Sequence, residues 1–150
     1  MGSALFIHRD AEKASRASRK EEIDRAVQKL SSETITFSDL AVIPVCMTEA
    51  WLFFSESALR RAAGNPHGKG DLSIPSILKL EKYSDPKKKL DEVLKRASGL
   101  SGGNLKRFDC NAAKQRLAGV IDDWSPLGQL SALKAMQKEL LAYCMTINQT

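Results

Sequence analysis

Cysteine is scarce in this chain. Cys46, Cys110 and Cys144 are the three cysteines among 150 residues, they lie far apart, and none stands in a C-x-x-C spacing. An odd and scattered set of this kind excludes both a disulfide framework and a zinc site built on paired cysteines. The sequence therefore predicts a reduced protein of the cytoplasm.

Long apolar runs and aromatic residues are also lacking. No run approaches the roughly 18 residues that a membrane span requires, no signal segment is visible, and aromatic residues make up 6% of the chain. We therefore expect no membrane contact. The net charge of +5 and the pI of about 9.2 permit binding to nucleic acid without requiring it.

Two short apolar runs near the N-terminus predict strands, at residues 5–8 and 41–46. Pro44 cannot donate to a ladder, which indicates an edge or a bulge in the second strand. A helix over residues 18–30, begun by a capping box at Ser18 and Glu21, separates the two runs. This order predicts one parallel βαβ unit. Because two strands make a poor sheet, we expect another chain or missing strands to complete it.

Helices are predicted for the rest of the chain. The first begins at Thr48, a Gly-rich loop over residues 64–71 ends it, and later helices begin near Asp85, Asp109 and Ser125. The helix from Asp85 is expected to end at Gly99, and helical spacing predicts that Leu141 of the last helix is buried. The predicted fold class is α/β and helix-rich, with a partial parallel sheet followed by several C-terminal helices. We expect a single domain over residues 1–150, with a βαβ-helix part at 4–63 and a helical part at 72–146.

Two carboxylates follow the first predicted strand. Asp10 and Glu12 stand at i and i+2, so they point the same way at the strand's end. Side chains so placed can share a divalent ion such as Mg²⁺, which prefers oxygen ligands. The alternative is that both carboxylates only solvate the end of the strand and favour the helix that follows.

A third carboxylate, Glu49, follows the second predicted strand. Parallel strands end at the same edge of a sheet, where α/β proteins place their ligands, so Glu49 is expected near Asp10 and Glu12. The alternative is a carboxylate that stabilises a helix N-terminus.

The stretch from residue 79 to residue 107 is basic. On one face, its cations could follow a phosphate backbone; the alternative is a solvated surface. The cations are Lys79, Lys82, Lys87, Lys88, Lys89, Lys95, Arg96, Lys106 and Arg107.

Several segments together resemble a known family. Residues 43–52 read IPVCMTEAWL and residues 58–66 read ALRRAAGNP; looser matches lie at 85–87, 97–100, 105–108 and 125–127. In these segments the chain resembles an uncharacterised bacterial family with a Toprim-like (topoisomerase–primase) domain. Its members are often encoded beside AAA-type ATPases in phage-defence systems. The resemblance covers residues 4–140, and its most specific part is the E-A-W-L segment that begins at Glu49.

The resemblance implies a metal-dependent nuclease that hydrolyses nucleic-acid phosphodiesters. Asp10 and Glu12 would take the D-x-D positions that bind Mg²⁺, and Glu49 would be the catalytic glutamate of the E-A-W-L segment. The family's V-E-G-x-T-E-like motif is missing, so the chain resembles the C-terminal part of such a domain, truncated or completed by a partner.

The expected partners are an AAA-type ATPase, nucleic acid and further copies of the chain. The alternative function is a non-catalytic helical module that binds an ATPase or itself.

Overall fold

The structure, a computed structural model, describes residues 3–30 and 37–147. Its strands are β1 (Ser3–His8) and β2 (Phe37–Val42). Its α-helices are α1 (Arg16–Leu30), α2 (Glu56–Ala62), α3 (Ile77–Leu80), α4 (Pro86–Ser98), α5 (Gly102–Lys106), α6 (Cys110–Val120) and α7 (Ser131–Ile147). The predicted class, a helix-rich α/β chain with a small parallel sheet and C-terminal helices, is confirmed.

The chain divides into two compact units. Residues 1–47 and 128–150 form the sheet unit, and residues 48–127 form the helical unit. Within the described parts of both units, no helix combines the length and the apolar character that crossing a membrane requires.

In the sheet unit, β1 and β2 pair in parallel, as the sequence predicts. Side chains at paired positions share a face of the sheet, and Ile7 pairs with Ala41. Helix α1 covers this face because Ile23 and Val27 pack on the two strands. The resulting small core consists of Ala11, Ile23, Ala41 and Ile43, with Ile7 and Val27 against it.

Helix α7 packs against β2. The Glu139 carboxylate accepts a hydrogen bond from the backbone N–H of Ala41 at 3.2 Å and is 2.5 Å from the Arg16 guanidinium. One side chain thus ties the outer edge of β2 to the start of α1.

The predicted second strand, at residues 41–46, is wrong in its bounds, because β2 spans Phe37–Val42. At the end of β2 only the first strand donates hydrogen bonds. The amides of Arg9 and Ala11 donate to the carbonyls of Val42 and Pro44, at 3.0 and 2.8 Å. Pro44 has no N–H to return a bond, which ends the regular ladder. The β-branched residues of the stretch 33–39 predict a short strand or an extended loop. Residues 37–39 lie in β2, and residues 33–36 lie outside the described residues.

In the helical unit, α2, α4 and α6 pack on one another around a closed apolar core. Its largest fully buried members include Phe53, Leu59, Leu72, Leu80, Leu90, Leu94 and Leu117. The predicted helix ends at Asp85, Gly99 and Asp109 are confirmed. The two aspartates accept hydrogen bonds from Lys88 N and Ala112 N, both at 2.9 Å, and Gly99 has the left-handed φ of 67°.

Three predicted helix starts are wrong. The helix expected from Thr48 is a 3₁₀ turn over Thr48–Trp51, and α2 begins only after Ser55, whose hydroxyl accepts from Ala58 N at 3.4 Å. Helix α1 begins at Arg16 and not at Ser18, because the Ser15 hydroxyl caps it by accepting a hydrogen bond from the Ser18 amide at 3.1 Å. The helix expected at Ser125 is likewise a 3₁₀ turn, over Ser125–Gln129, with α7 after it.

Candidate functional site

Asp10 lies just beyond β1, where the sequence places it. Its Oδ1 is 3.2 Å from His8 Nε2, so the two side chains share a side of the chain, as an i, i+2 spacing requires. The Asp10 side chain is partly buried, with 27% of its surface exposed to solvent.

Glu12 lies in a left-handed turn, with φ at 54°, a conformation that few non-glycine residues adopt. Its carboxylate lies 3.8 Å from the Arg19 guanidinium of α1. Glu12 is thus engaged with a cation of α1.

Larger clusters of metal-ligating side chains are absent from the part of the chain that the structure describes. In residues 3–30 and 37–147, no three His, Cys, Asp or Glu side chains form a group that could hold a cation. Mg²⁺ keeps several waters and is usually bound through only one or two carboxylates, so the lack of a group of three does not decide whether Asp10 and Glu12 hold such an ion. The metal assignment of Asp10 and Glu12 therefore stays a prediction.

Glu49 belongs to the helical unit, in the 3₁₀ turn Thr48–Trp51. The next two residues, Ala50 and Trp51, are buried there. Much of the E-A-W-L segment is therefore core, and the catalytic role of Glu49 stays a prediction.

Part of the basic stretch is engaged in local contacts of the helical unit. Arg96 donates to the Leu72 carbonyl at 3.0 Å, and Arg107 donates to Asn104 at 2.8 Å. The first contact joins α4 to the segment at Leu72, and the second lies within the end of α5. The use of this stretch as a nucleic-acid surface stays a prediction.

The outer edge of β1 is open in the described structure. The amides of the odd-numbered residues Arg9 and Ala11 donate to the carbonyls of Val42 and Pro44. Because successive backbone N–H and C=O groups of a strand point to alternate sides, those of the even-numbered residues Ala4 and Phe6 point away from β2. Among residues 3–30 and 37–147, no strand pairs with β1 there. Two large apolar side chains of this strand are exposed, Leu5 at 40% and Phe6 at 56%.

A shallow groove runs beside this edge on the α1 side. It has a volume of about 150 Å³, and its lining consists of Ile7, His8, Arg9, Glu22, Ile23 and Ala26. Glu22 Oε1 is 3.4 Å from Arg9 Nε. The hydrogen bond from Arg19 holds the pKa of Glu22 below its usual value, against a smaller opposing effect of desolvation, and Arg9 lowers it further.

The side of α1 toward β2 is also charged. The Lys20 ammonium donates to Asp24 and, at 3.2 Å, to Asp39 of β2. Burial lowers the pKa of Lys20, but the hydrogen bonds to both aspartates raise it more, so this pKa lies above its ordinary value. The strand–helix contact is thus fixed by charge on the β2 side of α1.

Comparisons with known protein families, with characterised proteins and with solved structures found no match to this chain.

Proposed function

We propose that the chain is a non-catalytic interaction module whose sheet unit binds an extended protein segment along the open edge of β1. The observation that carries this proposal is that Leu5 and Phe6 are exposed on a strand whose outer edge pairs with no other strand among the described residues. In strand addition, backbone hydrogen bonds supply affinity and side-chain contacts supply specificity.

The sheet itself favours this function. A two-stranded sheet is marginal alone, and an exposed, apolar strand edge is a feature that proteins normally cover or charge. A bound strand would satisfy the outward backbone groups of Ala4 and Phe6. It would also bury Phe6 and extend over the groove floor at Ala26.

The partner class follows from the same edge. An extended segment with apolar residues on both of its faces would fit, because the neighbouring side chains Leu5 and Phe6 of β1 point to opposite faces and are both exposed. The AAA-type ATPase that the family resemblance implies is one proposed source of such a segment, and a cytoplasmic location is proposed with it.

A display experiment tests this function. A library of short random peptides is selected on the full chain, with counter-selection on Phe6→Lys. We expect enriched peptides with a short run of apolar residues that bind the wild-type chain but not Phe6→Lys. Leu141→Lys is the matched control, because Leu141 is an exposed leucine of α7. Peptides that bind both variants equally, or none at all, would reject the proposal.

Metal-dependent phosphodiester hydrolysis is the second proposed function. Its supporting observation is that Asp10 and Glu12 follow the carboxyl end of β1 in a parallel pair, the edge at which α/β proteins bind ligands. With Mg²⁺ or Mn²⁺ at millimolar concentration, this function requires a rise in melting temperature that Asp10→Ala abolishes. An unchanged melting temperature in the wild-type chain would count against it.

A further inference from the structure

We infer that the strand added to β1 is β1 of a second copy of this chain, running antiparallel about a two-fold axis at Phe6. The two sheet units would then share one four-stranded sheet in the order β2, β1, β1, β2. This inference rests on the proposed function and names its partner.

The direction of the backbone groups limits the possible registers. The outward groups of β1 belong to even-numbered residues, so the two copies can pair only where even positions face even positions. Placing Phe6 opposite Phe6 of the second copy satisfies this rule and pairs residues 4–8 of each copy, nearly all of β1.

The side chains of β1 complement themselves in this register. On one face, Phe6 meets Phe6 of the second copy, and an aromatic cross-strand pair is a favourable contact. On the other face, Leu5 meets Ile7 of the second copy, and the reverse pair repeats the contact. The apolar side chains of β1 that are most exposed, Leu5 and Phe6, are those that the pairing covers.

The helices also fit this arrangement. Helix α1 straddles both strands, because Ile23 and Val27 share a core with Ile7 and Ala41. Neighbouring strands lie about 4.8 Å apart, so two such helices would lie about 10 Å apart across the axis. Packed helices have axes separated by about 8–10 Å.

The flank of α1 that borders the groove has complementary charges. Glu22, Arg25, Ala26 and Lys29 line this side of the helix. When two such helices run antiparallel, Glu22 of one copy lies opposite the basic end of the other, at Lys29. The small Ala26 lies between them and permits close approach.

The assembly would stop at two copies. The other edge of the sheet is occupied by α7, through the hydrogen bond from Ala41 N–H to Glu139. With one edge taken by the two-fold contact and the other covered, the pairing is isologous and closed.

Sedimentation equilibrium of the full chain tests the interface. We expect a species of twice the 16.5 kDa chain mass, and a dissociation constant about 100-fold higher for Phe6→Lys, because two ammonium groups would then oppose each other across the axis. Leu141→Lys should leave the dimer unchanged.

A cysteine at the axis tests the register. In a hydrogen-bonded antiparallel pair the Cα atoms are about 5.5 Å apart, which suits a disulfide. Mild oxidation should therefore link two chains of Phe6→Cys through the new residue, as mapped by mass spectrometry. Leu5→Cys is the control, because its two copies would lie about 8 Å apart and should not link.

The outcomes separate the two proposals. A wild-type chain that stays monomeric at high micromolar concentration overturns the second copy as the partner, whereas strand binding is judged by the peptide selection. A dimer that is indifferent to Phe6→Lys places the interface elsewhere and overturns the inference. A dimer that Phe6→Lys disrupts but that fails to link through Phe6→Cys overturns the register.

Discussion

The helical unit and the sheet unit bury their apolar side chains to different extents. In the helical unit, Leu90, Leu94 and Leu117 are wholly inaccessible to solvent. The sheet unit leaves more large apolar side chains exposed, namely Leu5, Phe6, Leu30, Leu141, Met145 and Ile147. Helices that pack on one another from several sides can enclose a core. In the sheet unit, α1 covers one face of the two strands and α7 packs against β2, which leaves β1 partly uncovered.

The two edges of the sheet differ in the same way. At β2, the Glu139 carboxylate accepts hydrogen bonds from both the Ala41 amide and the Arg16 guanidinium. At β1, the described structure offers the outward groups of Ala4 and Phe6 no such partner. One edge is thus closed by the chain itself, and the other is the edge at which we propose that a partner strand binds.

The largest expected effect is in the helical core. Leu94→Ala should lower the free energy of unfolding by about 2–5 kcal/mol, because it leaves a cavity at a fully buried site. Phe6→Ala should cost the monomer less than about 1 kcal/mol, since Phe6 is largely exposed. Urea denaturation at low protein concentration measures both, and equal losses would erase the difference between the two units.

Opening the closed edge should come next in size. Glu139→Ala removes the acceptor for the Ala41 amide and the partner of Arg16, and we expect a loss of about 1–3 kcal/mol with increased aggregation at the freed edge. Glu139→Gln keeps an acceptor oxygen and should lose less. Denaturation and light scattering are the measurements; an Ala variant as stable and soluble as the wild type would show that Glu139 does not close the edge.

Glycine substitutions in the helical unit should give smaller effects of opposite sign. Gly99 has a φ of 67°, and a Cβ there would lie 2.8 Å from Asn65 Nδ2, so Gly99→Ala should cost about 1 kcal/mol or more. Gly103→Ala in α5 meets nothing within 4 Å and should stabilise by up to about 1 kcal/mol. Thermal unfolding compares them, and shifts of the same sign would contradict the assigned backbone roles.

The smallest effect concerns charge beside the open edge. The pKa of Glu22 is lowered in the folded state, so its ion pairs stabilise the fold above the ordinary carboxyl pKa. That contribution is lost as the pH falls through the lowered pKa. Glu22→Gln should therefore flatten the acid side of the stability profile, as followed by urea titrations between neutral and acidic pH. Parallel profiles for wild type and variant would disprove this contribution.

Local sequence signals predicted the fold well where the structure depends on them. Asp85 and Asp109 begin helices through their side chains, Gly99 ends one through its backbone, and the apolar run of β1 predicted a strand of a parallel pair. The candidate metal residues were chosen by their spacing after β1 and by the family resemblance, and their assignment stays a prediction.

Other features depend on partners distant in sequence. The bounds of β2 follow from pairing with β1 and from Pro44. The bond between Ala41 and Glu139 joins residues 98 positions apart, which no local pattern indicates. Helical spacing predicted that Leu141 is buried. This prediction is wrong, since Leu141 is 65% exposed and the face of α7 toward β2 includes Glu139 instead.

Amide hydrogen exchange at Phe6 tests the central claim most directly. The Phe6 amide should exchange slowly at high protein concentration and rapidly on dilution, while the Arg9 amide, bonded to the Val42 carbonyl at 3.0 Å, stays protected at both. A Phe6 amide that exchanges rapidly at every concentration would show that no second copy binds the edge of β1.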